Sequence, residues 1–403
     1  MATSKQWVLT DVEHNIWLDQ FSISSTELKL PATPPWSITK RTLRGGLRDG
    51  VDLIEVNNGA LSYSVVPTRG MGIWKGQYRD TCCLGWRAPV RGPVNPAYVN
   101  LVDRGGLGWL QGFDEWIVRC GLDSNGAPGE DVVLDNNGNP MRTELTLHGK
   151  IANQPAHKVE VAVQTEPPYE ISVVGYVDES MLFCPQLSLV SKITTTPGSN
   201  RLVITDRVFN MKRQPAELEL LYHCNFGPPL LDAGARLVAP TREVAPRDAR
   251  AQEGIDHYTN YLGPTTGYVE QVYWFDLLSK GATGETLALL RNSAGDRGAV
   301  LRFQSAELPC FTLWKNTGAH EEGYVTGLEP GTNYPNRKQF ERQQGRVIKL
   351  PPGESHRCRL TIEVHDTAAG VAAAEQEIAA IQSQASPVVH RTPQARYSEL
   401  KAT

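Results

Sequence analysis

The strongest constraint on the fold is a hydrophobic period of two that recurs along most of the chain. Between positions 158 and 165, Val159, Val161 and Val163 alternate with polar residues such as Lys158 and Glu160. Side chains two residues apart lie on the same face of a β-strand, so this pattern predicts a half-buried strand. It is typical of antiparallel sheets with one buried face. The same alternation recurs at Leu187, Leu189 and Ile193, at Leu218, Leu220 and Tyr222, and at Cys358, Leu360, Ile362 and Val364.

Turn-forming sequences separate the predicted strands. Glycine and asparagine tolerate a positive φ and proline fixes φ, so such residues favour chain reversals. Many strands in one run, without alternating helices, favour packed antiparallel sheets over a parallel α/β design. We therefore predict an all-β fold, a large antiparallel β-sandwich, with residues 1–385 forming one domain. The predicted reversals are Asn57-Asn58-Gly59, Asn136-Asn137-Gly138, Pro197-Gly198-Ser199-Asn200 and Pro351-Pro352-Gly353.

One helix is predicted near the end of this domain, over about residues 367–383. Asp366 is suited to the N-cap, and Val371, Ala374, Ile378 and Ile381 follow at steps of three and four residues. This spacing produces one apolar stripe, which we expect to pack on a sheet. Residues 386–403 are polar and show no period. We predict a C-terminal tail there that is partly disordered or lies over the surface.

Charge and cysteine content limit the expected partners and compartment. The chain has 40 Lys and Arg against 44 Asp and Glu, a net charge of −4, so no broad positive field is available for nucleic acid. The seven cysteines are scattered and form no CxxC pair of zinc-site spacing. No secretory leader is apparent, and no window approaches the roughly 20 apolar residues of a membrane span. We expect a cytoplasmic protein without a membrane segment, and the sequence leaves its oligomeric state open.

Three short phrases carry side chains suited to acid–base chemistry. His148 lies in Leu-His-Gly at 147–149, His223 lies in Leu-Tyr-His-Cys-Asn-Phe-Gly at 221–227, and Glu329 follows in Gly-Leu-Glu-Pro at 327–330. Both histidines are predicted at the ends of strands, on the polar face. Singly, each is more readily explained as a solvated or hydrogen-bonded histidine. Together, a carboxylate that accepts a proton and an imidazole that donates one near neutral pH indicate an acid and a base around one sugar.

The order of these phrases resembles the aldose 1-epimerase (galactose mutarotase) superfamily, in a divergent branch, over about residues 50–365. In that superfamily the second histidine is followed by a glutamate before a Pro-Asn loop and a Leu-x-Pro-Gly-Glu stretch, as at 329–336 and 350–354 here. The resemblance implies a galactose mutarotase-like supersandwich and the interconversion of sugar anomers by ring opening, with a small carbohydrate as ligand and no cofactor. It also implies that His148 orients the substrate, His223 protonates the ring oxygen and Glu329 deprotonates the anomeric hydroxyl.

Further substrate contacts are expected around these three residues. An arginine in the first third of the chain is implied to hold sugar hydroxyls, and the sequence does not choose between Arg69 and Arg104; either is equally explained as an ion-pair partner. Tryptophans can stack on the apolar face of a sugar, although core packing is the better explanation for at least two of the three candidates. The remaining candidates are Trp109, Trp116 and Trp314 for stacking, and Asn225 and Lys315 for hydroxyls or an acidic substituent.

Two other functions remain open from the sequence. His148, His223 and Glu329 are also a possible ligand set for one metal ion, which predicts a metal-dependent sugar or keto-sugar isomerase or epimerase. A non-catalytic carbohydrate-binding sandwich is the second alternative, because a fold does not determine a function. No glycine-rich nucleotide loop between a strand and a helix is present, so the primary prediction includes no cofactor.

Overall fold

Strands dominate the computed structural model, which describes residues 4–31, 34–281 and 283–399. The strands are β1 (Ser4–Asp11), β2 (Ile16–Trp17), β3 (Gln20–Ser24), β4 (Ser37–Thr42), β5 (Asp52–Asn57), β6 (Leu61–Val66), β7 (Gly72–Tyr78), β8 (Cys82–Leu84), β9 (Ile117–Leu122), β10 (Gly129–Leu134), β11 (Pro140–Leu145), β12 (Lys158–Gln164), β13 (Ile171–Ser180), β14 (Gln186–Thr195), β15 (Arg201–Asn210), β16 (Ala216–Phe226), β17 (Arg236–Val238), β18 (Thr241–Pro246), β19 (Gln271–Leu277), β20 (Glu285–Arg291), β21 (Gly298–Gln304), β22 (Cys310–Thr317), β23 (Tyr324–Gly331), β24 (Ile348–Leu350), β25 (Ser355–His365) and β26 (Val388–Val389). The helices are α1 (Asp103–Gly106), α2 (Ala249–Glu253), α3 (Lys338–Gln343) and α4 (Ala368–Gln382), with 3-10 turns at Gly46–Arg48, Pro96–Tyr98, Gly108–Gly112, Ile151–Asn153 and Ile255–His257.

Within the described residues these strands form two large sheets and one hairpin. The ten-stranded sheet has the order β17-β20-β21-β25-β15-β14-β13-β12-β1-β2. The fourteen-stranded sheet has the order β26-β18-β19-β22-β23-β16-β9-β7-β6-β5-β4-β3, with β24 also paired to β16 and β8 to β7. β10 and β11 form the separate hairpin. Neighbouring strands are antiparallel except β18 and β26, which confirms the predicted all-β antiparallel sandwich.

One extensive apolar core lies between the two sheets and is built from alternate residues. On β16 the core side chains include Leu218, Leu220 and Tyr222, and on β14 they include Leu187 and Leu189. The predicted period of two is therefore confirmed in both sheets. The intervening residues of β16 point to the other side of the fourteen-stranded sheet, the side carrying Leu221 and His223, which we call the outer face.

A buried ion pair joins the two sheets directly behind this face. Arg119 on β9 reaches Asp206 on β15, and its guanidinium also donates to the Ser191 hydroxyl. The Tyr222 hydroxyl donates to the same Asp206 carboxylate at 2.8 Å. Removing one partner of such a pair typically costs about 3–5 kcal/mol, because it leaves the other charge buried and unpaired. These contacts connect β9 and β16, the strand of His223, to β15 of the second sheet.

The predicted reversals are turns in the structure. Gly59, Gly138, Gly198 and Gly353 have φ values of +91°, +80°, +74° and +73°. A side chain at such φ values is strained, which explains why glycine occupies each turn. These turns connect β5 to β6, β10 to β11, β14 to β15 and β24 to β25.

Helix α4 packs on the ten-stranded sheet through the predicted stripe of Val371, Ala374, Ile378 and Ile381. Its N-cap is Thr367, whose hydroxyl accepts a hydrogen bond from the Gly370 N–H, and not Asp366 as the sequence indicated. Asp366 instead forms an ion pair with Arg79 at 3.1 Å. The helix therefore begins one residue later than an Asp366 cap would place it.

The C-terminal segment lies along the fourteen-stranded sheet. β26 extends that sheet beside β18. Tyr397 is buried, and the Ser398 hydroxyl accepts a hydrogen bond from Trp274 Nε1 at 2.8 Å. The predicted tail is thus packed on the sheet as far as Glu399, while residues 400–403 lie outside the described part. In the described ranges, no helix combines the length and the apolar character needed to span a membrane.

Candidate functional site

His223 and Glu329 meet on neighbouring strands of the outer face. The pairing of Leu221 with Gly331 and of Cys224 with Leu328 brings His223 on β16 opposite Glu329 on β23. His223 Nε2 lies 3.1 Å from Glu329 Oε1. The two residues are only 4% and 2% exposed. Strand pairing therefore brings an imidazole and a carboxylate from distant phrases into direct contact in a site almost closed to water.

Gly327 provides the space for this pair. It precedes Glu329 by two residues, so a side chain at this position would point to the outer face, as the side chain of Glu329 does. A Cβ atom at Gly327 would lie 2.5 Å from Glu329 Oε1 and 2.9 Å from His223 Cε1. Both separations are shorter than real Cβ atoms show, so any side chain at this position would displace the pair.

Asn225 sets the tautomer and orientation of the His223 ring. Its Nδ2 donates to the carbonyl oxygens of Glu115 at 3.0 Å and His223 at 3.1 Å. Its Oδ1 therefore accepts from His223 Nδ1, 2.5 Å away. The proton of the neutral ring is assigned to Nδ1 by this network, and Nε2 presents a lone pair toward Glu329. The expected substrate contact of Asn225 is corrected, because the residue is fully buried behind the ring.

Aromatic rings surround His223. The ring centroids of Phe113, Trp314 and Trp109 lie 5.1, 5.3 and 6.1 Å from that of the imidazole. Burial among them lowers the pKa of His223 well below its ordinary value, and the nearby His148 adds to this effect. Burial raises the pKa of Glu329 well above its ordinary value, so the empty site favours a neutral pair with the shared proton on the carboxyl.

His148 reaches the pair from a loop. β11 ends at Leu145, so His148 is not at a strand end as the sequence indicated but lies beyond it, with φ +58°. Its Nδ1 donates to the Asn125 carbonyl at 2.8 Å, and its ring centroid lies 5.5 Å from that of His223. Burial lowers the pKa of His148 to about 4, so the ring is neutral at pH 7.

A buried network that sequence reasoning missed holds the partner of His148 in place. The Asn125 N–H donates to one oxygen of Glu219 at 3.0 Å, and Asn333 Nδ2 donates to the other at 3.0 Å. Asn125 Nδ2 also donates to Asn333 Oδ1 at 2.9 Å. Glu219 lies on β16 four residues before His223, so one strand supports both histidines. Glu219 could have been identified from the sequence, because the alternation places it on the same polar face of β16 as His223.

A partly exposed group of Trp314, Glu270 and Arg247, which we call the rim, borders the pair. Trp314 Nε1 donates to one oxygen of Glu270 at 2.7 Å, and Arg247 donates to the other at 2.9 Å. Both charges influence the Glu329 pKa, Glu270 raising it and Arg247 lowering it. Neither Glu270 nor Arg247 is among the site residues predicted from the sequence, where each resembles an ordinary charged surface residue.

Two buried polar atoms at this site are not hydrogen-bonded. Within the described residues Trp109 Nε1 has no hydrogen-bond partner, and the one polar group near Glu329 Oε1 is His223 Nε2, at 3.1 Å. The Trp109 ring packs edge-on against His148 at 4.6 Å. Buried polar atoms normally have partners, and a polar ligand bound at this site can supply them.

Neither candidate arginine lies at the pair. Arg69 is fully buried, forms an ion pair with Glu115 at 2.5 Å and also donates to Asn153 and to two backbone carbonyls. Its guanidinium is occupied by the protein, which corrects the predicted substrate contact. Arg104 is exposed on α1, and among the contacts of the described residues none joins its side chain to the histidines or to Glu329.

Lys315 and Trp116 face the wrong side of the sheet for the site. Lys315 neighbours Trp314 on β22 and therefore points inward, where its Nζ donates to the carbonyls of Tyr258 and Asn260 at 3.1 and 2.6 Å. Burial lowers its pKa to about 8. Trp116 belongs to the core between the sheets. The expected sugar contact of Lys315 is thereby corrected, and Trp116 serves core packing.

The metal-dependent alternative requires that at least three donor side chains converge on one point. Among the described residues no group of three or more His, Cys, Asp and Glu side chains is placed to hold a metal ion. His148, His223 and Glu329 therefore do not fit as a ligand set in this geometry.

Comparisons with known proteins agree with the fold. The model of a family described as a domain of unknown function (DUF4432) matches residues 48–364. A structure from Klebsiella pneumoniae subsp. pneumoniae MGH 78578, provisionally named an aldose 1-epimerase, is 38% identical, with 97% of this chain and 99% of that chain covered and a TM-score of 0.91. No protein with a curated description matches.

Two more distant structures show the fold alone. A galactose mutarotase-like protein from Clostridium acetobutylicum is 15% identical, with 82% of this chain and 98% of that chain covered and a TM-score of 0.57. A galactose mutarotase related enzyme from Lactobacillus acidophilus is 11% identical, with coverages of 78% and 98% and a TM-score of 0.52.

Proposed function

Because this chain belongs to the DUF4432 family, within the aldose 1-epimerase-like superfamily, we propose that it interconverts the anomers of an aldose or a close aldose derivative by acid–base ring opening. The observation that carries the proposal is the contact of 3.1 Å between His223 Nε2 and Glu329 Oε1. An imidazole and a carboxylate in contact, in a water-poor site, are the groups that this chemistry requires.

The chemistry explains why the two groups must be neighbours. Ring opening removes a proton from the anomeric hydroxyl and adds one to the ring oxygen, while the bond from C1 to the ring oxygen breaks and C1 becomes an aldehyde. Rotation about the bond from C1 to C2 and reclosure give the other anomer. Both oxygens are attached to C1, so the base and the acid must lie side by side. We assign Glu329 as base and His223 as acid in opening, and the roles reverse in closing.

One shared proton is sufficient for the whole cycle. The pair gives one proton to the sugar and takes one from it, so its total proton count is the same before and after opening. No net charge is created in the apolar surroundings of the site, where an unpaired charge would be costly. The neutral form of the empty pair and the ion-pair form that acts on the sugar differ only in which residue holds that proton.

The groups around the pair suit a small carbohydrate. The partly exposed ring of Trp314 can stack on the apolar face of a sugar, whereas Trp109 is only 1% exposed and packs on Phe113 and His148. Neutral His148, with Nδ1 engaged by Asn125, keeps a lone pair on Nε2 that can accept a sugar hydroxyl. Hydroxyls that project further reach the partly exposed Glu270 at the rim, which can accept hydrogen bonds.

A panel of freshly dissolved aldoses, followed by polarimetry or NMR, tests the proposal. We expect at least one aldose to reach anomeric equilibrium faster than it does spontaneously, at a rate proportional to protein concentration and unchanged after dialysis against EDTA. Loss of activity in EDTA together with a stoichiometric bound metal would favour the metal-dependent isomerase instead. Sugar binding without faster exchange would favour a binding module.

The proposed activity should change little with pH near neutrality. The side chains of free Glu and His have pKa values of ~4.3 and ~6.5. Because burial raises the pKa of Glu329 and lowers that of His223, the pair gains its second proton at lower pH and loses its last proton at higher pH. We therefore expect kcat/KM, corrected for the spontaneous rate, to stay constant through pH 6.5 and to fall on the alkaline side. A fall in activity on acidification through pH 6.5 would show that His223 titrates as an ordinary histidine.

Substitution of Gly327 by alanine should disable the pair without unfolding the protein. The new Cβ atom would lie within 3 Å of both side chains, and displacement of catalytic groups by about 1 Å can lower a rate ~100-fold. We expect kcat/KM to fall by ~10- to 100-fold, measured by polarimetry with thermal unfolding as the check on folding. Gly318→Ala is the matched control, since its nearest neighbours lie 3.7 Å or more away. Equal activity of the two variants would contradict the geometry.

A further inference from the structure

A concavity that is separate from the His223 site lies on the outer face of the fourteen-stranded sheet. Its volume is about 760 Å³, in the upper half of the range of about 300–1,000 Å³ that is typical of ligand sites. Strands β4 to β8 form its floor, and we call it the strand groove. The acid–base chemistry proposed above makes no use of it.

The strand register aligns the floor into rows of polar side chains. Ser37 pairs with Asn57, Asn57 with Ser62, Ser62 with Gln77, and Gln77 with Cys83. Side chains directly opposite each other on neighbouring strands share one face of a sheet. One row of hydroxyl, amide and thiol groups therefore crosses five strands.

A second row runs beside the first, two residues along each strand. It consists of Thr39, Glu55 and Ser64, which are paired in the same way. The alternate residues of these strands, among them Ile38 and Val56, belong to the core between the sheets. The period of two thus directs both polar rows into the groove.

The floor differs in chemistry from the other solvated sheet face of this protein. The outward side of the ten-stranded sheet carries long cationic side chains: Lys192, Arg201, Arg207, Arg357 and Arg359. The floor of the groove carries mostly short, neutral hydroxyl and amide groups, which lose little rotamer entropy when they bind a ligand. Such groups donate and accept hydrogen bonds without selecting a charged partner.

Trp86 forms an aromatic wall at one side of the groove. Its ring is half-buried, and its Nε1 donates to the Glu115 carbonyl at 3.2 Å. The ring also packs 5.0 Å from Phe113, whose ring lies 5.1 Å from His223. A fixed indole beside hydroxyl and amide groups is suited to stacking on the apolar face of a sugar ring. The same aromatic pair separates the groove from the His223 site.

Charges at the groove do not form a single-sign field. Glu55 faces Arg41 at 3.4 Å, and Lys75 lies over the Trp74 ring at 4.2 Å. Arg87 is a further lining cation. The carboxylate and the two cations line the same cavity, so hydrogen bonding and stacking dominate recognition.

We propose that the strand groove is a second binding site, for a neutral saccharide longer than one sugar unit. The size of the groove, its two rows of short polar groups and its indole wall carry this assignment. The site is separate from the His223–Glu329 pair, so binding here does not depend on the reaction proposed for that pair.

Cys83 provides a direct test, because it is an exposed thiol in the first row. Cys184 is partly exposed outside the groove and is an internal control, whereas the other five cysteines are buried. We would follow alkylation of both thiols by N-ethylmaleimide with mass spectrometry, in the presence of maltotriose, cellotriose, galactose, galacturonate or inorganic phosphate. A bound trisaccharide should slow labelling of Cys83 by ~3-fold or more at concentrations well above its Kd and leave Cys184 unchanged.

Three variants establish whether the protection arises in the strand groove. Ser62→Leu places a branched apolar side chain in the middle of the first row and should abolish the protection. Ser188→Leu makes the same change on the outward side of β14 and should retain it, with both folds checked by thermal unfolding. Glu329→Gln should also retain it, even if the proposed reaction proves wrong. The proposal is overturned if no trisaccharide protects Cys83, if both thiols slow equally, if only galacturonate or phosphate protects, or if Ser62→Leu keeps full protection.

Discussion

We expect Glu329→Gln to lower the proposed rate of anomer interconversion by ~100-fold or more, through the loss of a general acid–base group. The amide has the size of the carboxyl but can neither take a proton from the anomeric hydroxyl nor return one. Because burial raises the pKa of Glu329, the native side chain of the empty site is already neutral. The amide of the variant can donate to His223 Nε2 in place of the protonated carboxyl, whose Oε1 lies 3.1 Å from that nitrogen.

The stability of this variant is therefore expected to match that of the native protein, which separates a chemical effect from unfolding. The measurement is the polarimetric rate at a saturating aldose concentration, together with the thermal unfolding midpoint. Glu130→Gln makes the same chemical change on the exposed β10–β11 hairpin and should keep full activity. More than a tenth of the native rate in Glu329→Gln would remove Glu329 from the mechanism.

His223→Ala should also lower the rate by ~100-fold or more, because the proton can no longer reach the ring oxygen. This truncation leaves a space among Phe113, Trp109 and Trp314, so some loss of stability accompanies it. Added imidazole should occupy the space and restore part of the rate, which loss of packing alone would not allow. The measurement is the polarimetric rate against imidazole concentration.

His14→Ala is the control for this experiment, since that side chain is 69% exposed and is distant in sequence from the site residues. We expect native activity from it and no response to imidazole. If His223→Ala remained active, or if imidazole accelerated both variants equally, His223 would not be the acid.

The two predictions share one physical basis, the low polarity around the pair. In water a carboxyl is ionised at neutral pH, and an imidazole gains its charge on slight acidification. Enclosure by aromatic rings instead favours the neutral forms, and Asn225 fixes which nitrogen of the ring is free. In the proposed reaction, this arrangement allows the pair to exchange one proton with a bound sugar in either direction.

Local patterns in the sequence determined the strands and the turns. A period of two follows from backbone geometry alone, so the core faces of β12, β14, β16 and β25 could be predicted without knowing their partners. Glycines in the reversals were recognisable because only local φ values decide them. The phrases around His148, His223 and Glu329 were also visible, because their residue types are those that proton transfer requires.

The period of two also shows that the two adjacent candidates Trp314 and Lys315 could not both be ligand contacts. Trp314 and Lys315 are adjacent on a strand, so they must face opposite sides of the sheet and cannot both contact one ligand. The sequence could not say which of them faces the site. That choice was made by β22 pairing with β23, which aligns Trp314 with Gly327.

Tertiary structure alone decided how the site is assembled. Pairing between β16 and β23 joined His223 to Glu329, whereas burial against Glu115 gave Arg69 a structural role and packing behind the imidazole gave Asn225 a positioning role. These outcomes depend on contacts between residues far apart in the chain, whereas periodicity reports only on neighbours. Residue type and alternation thus determined which side chains were available, and the register and packing of distant strands determined which of them meet.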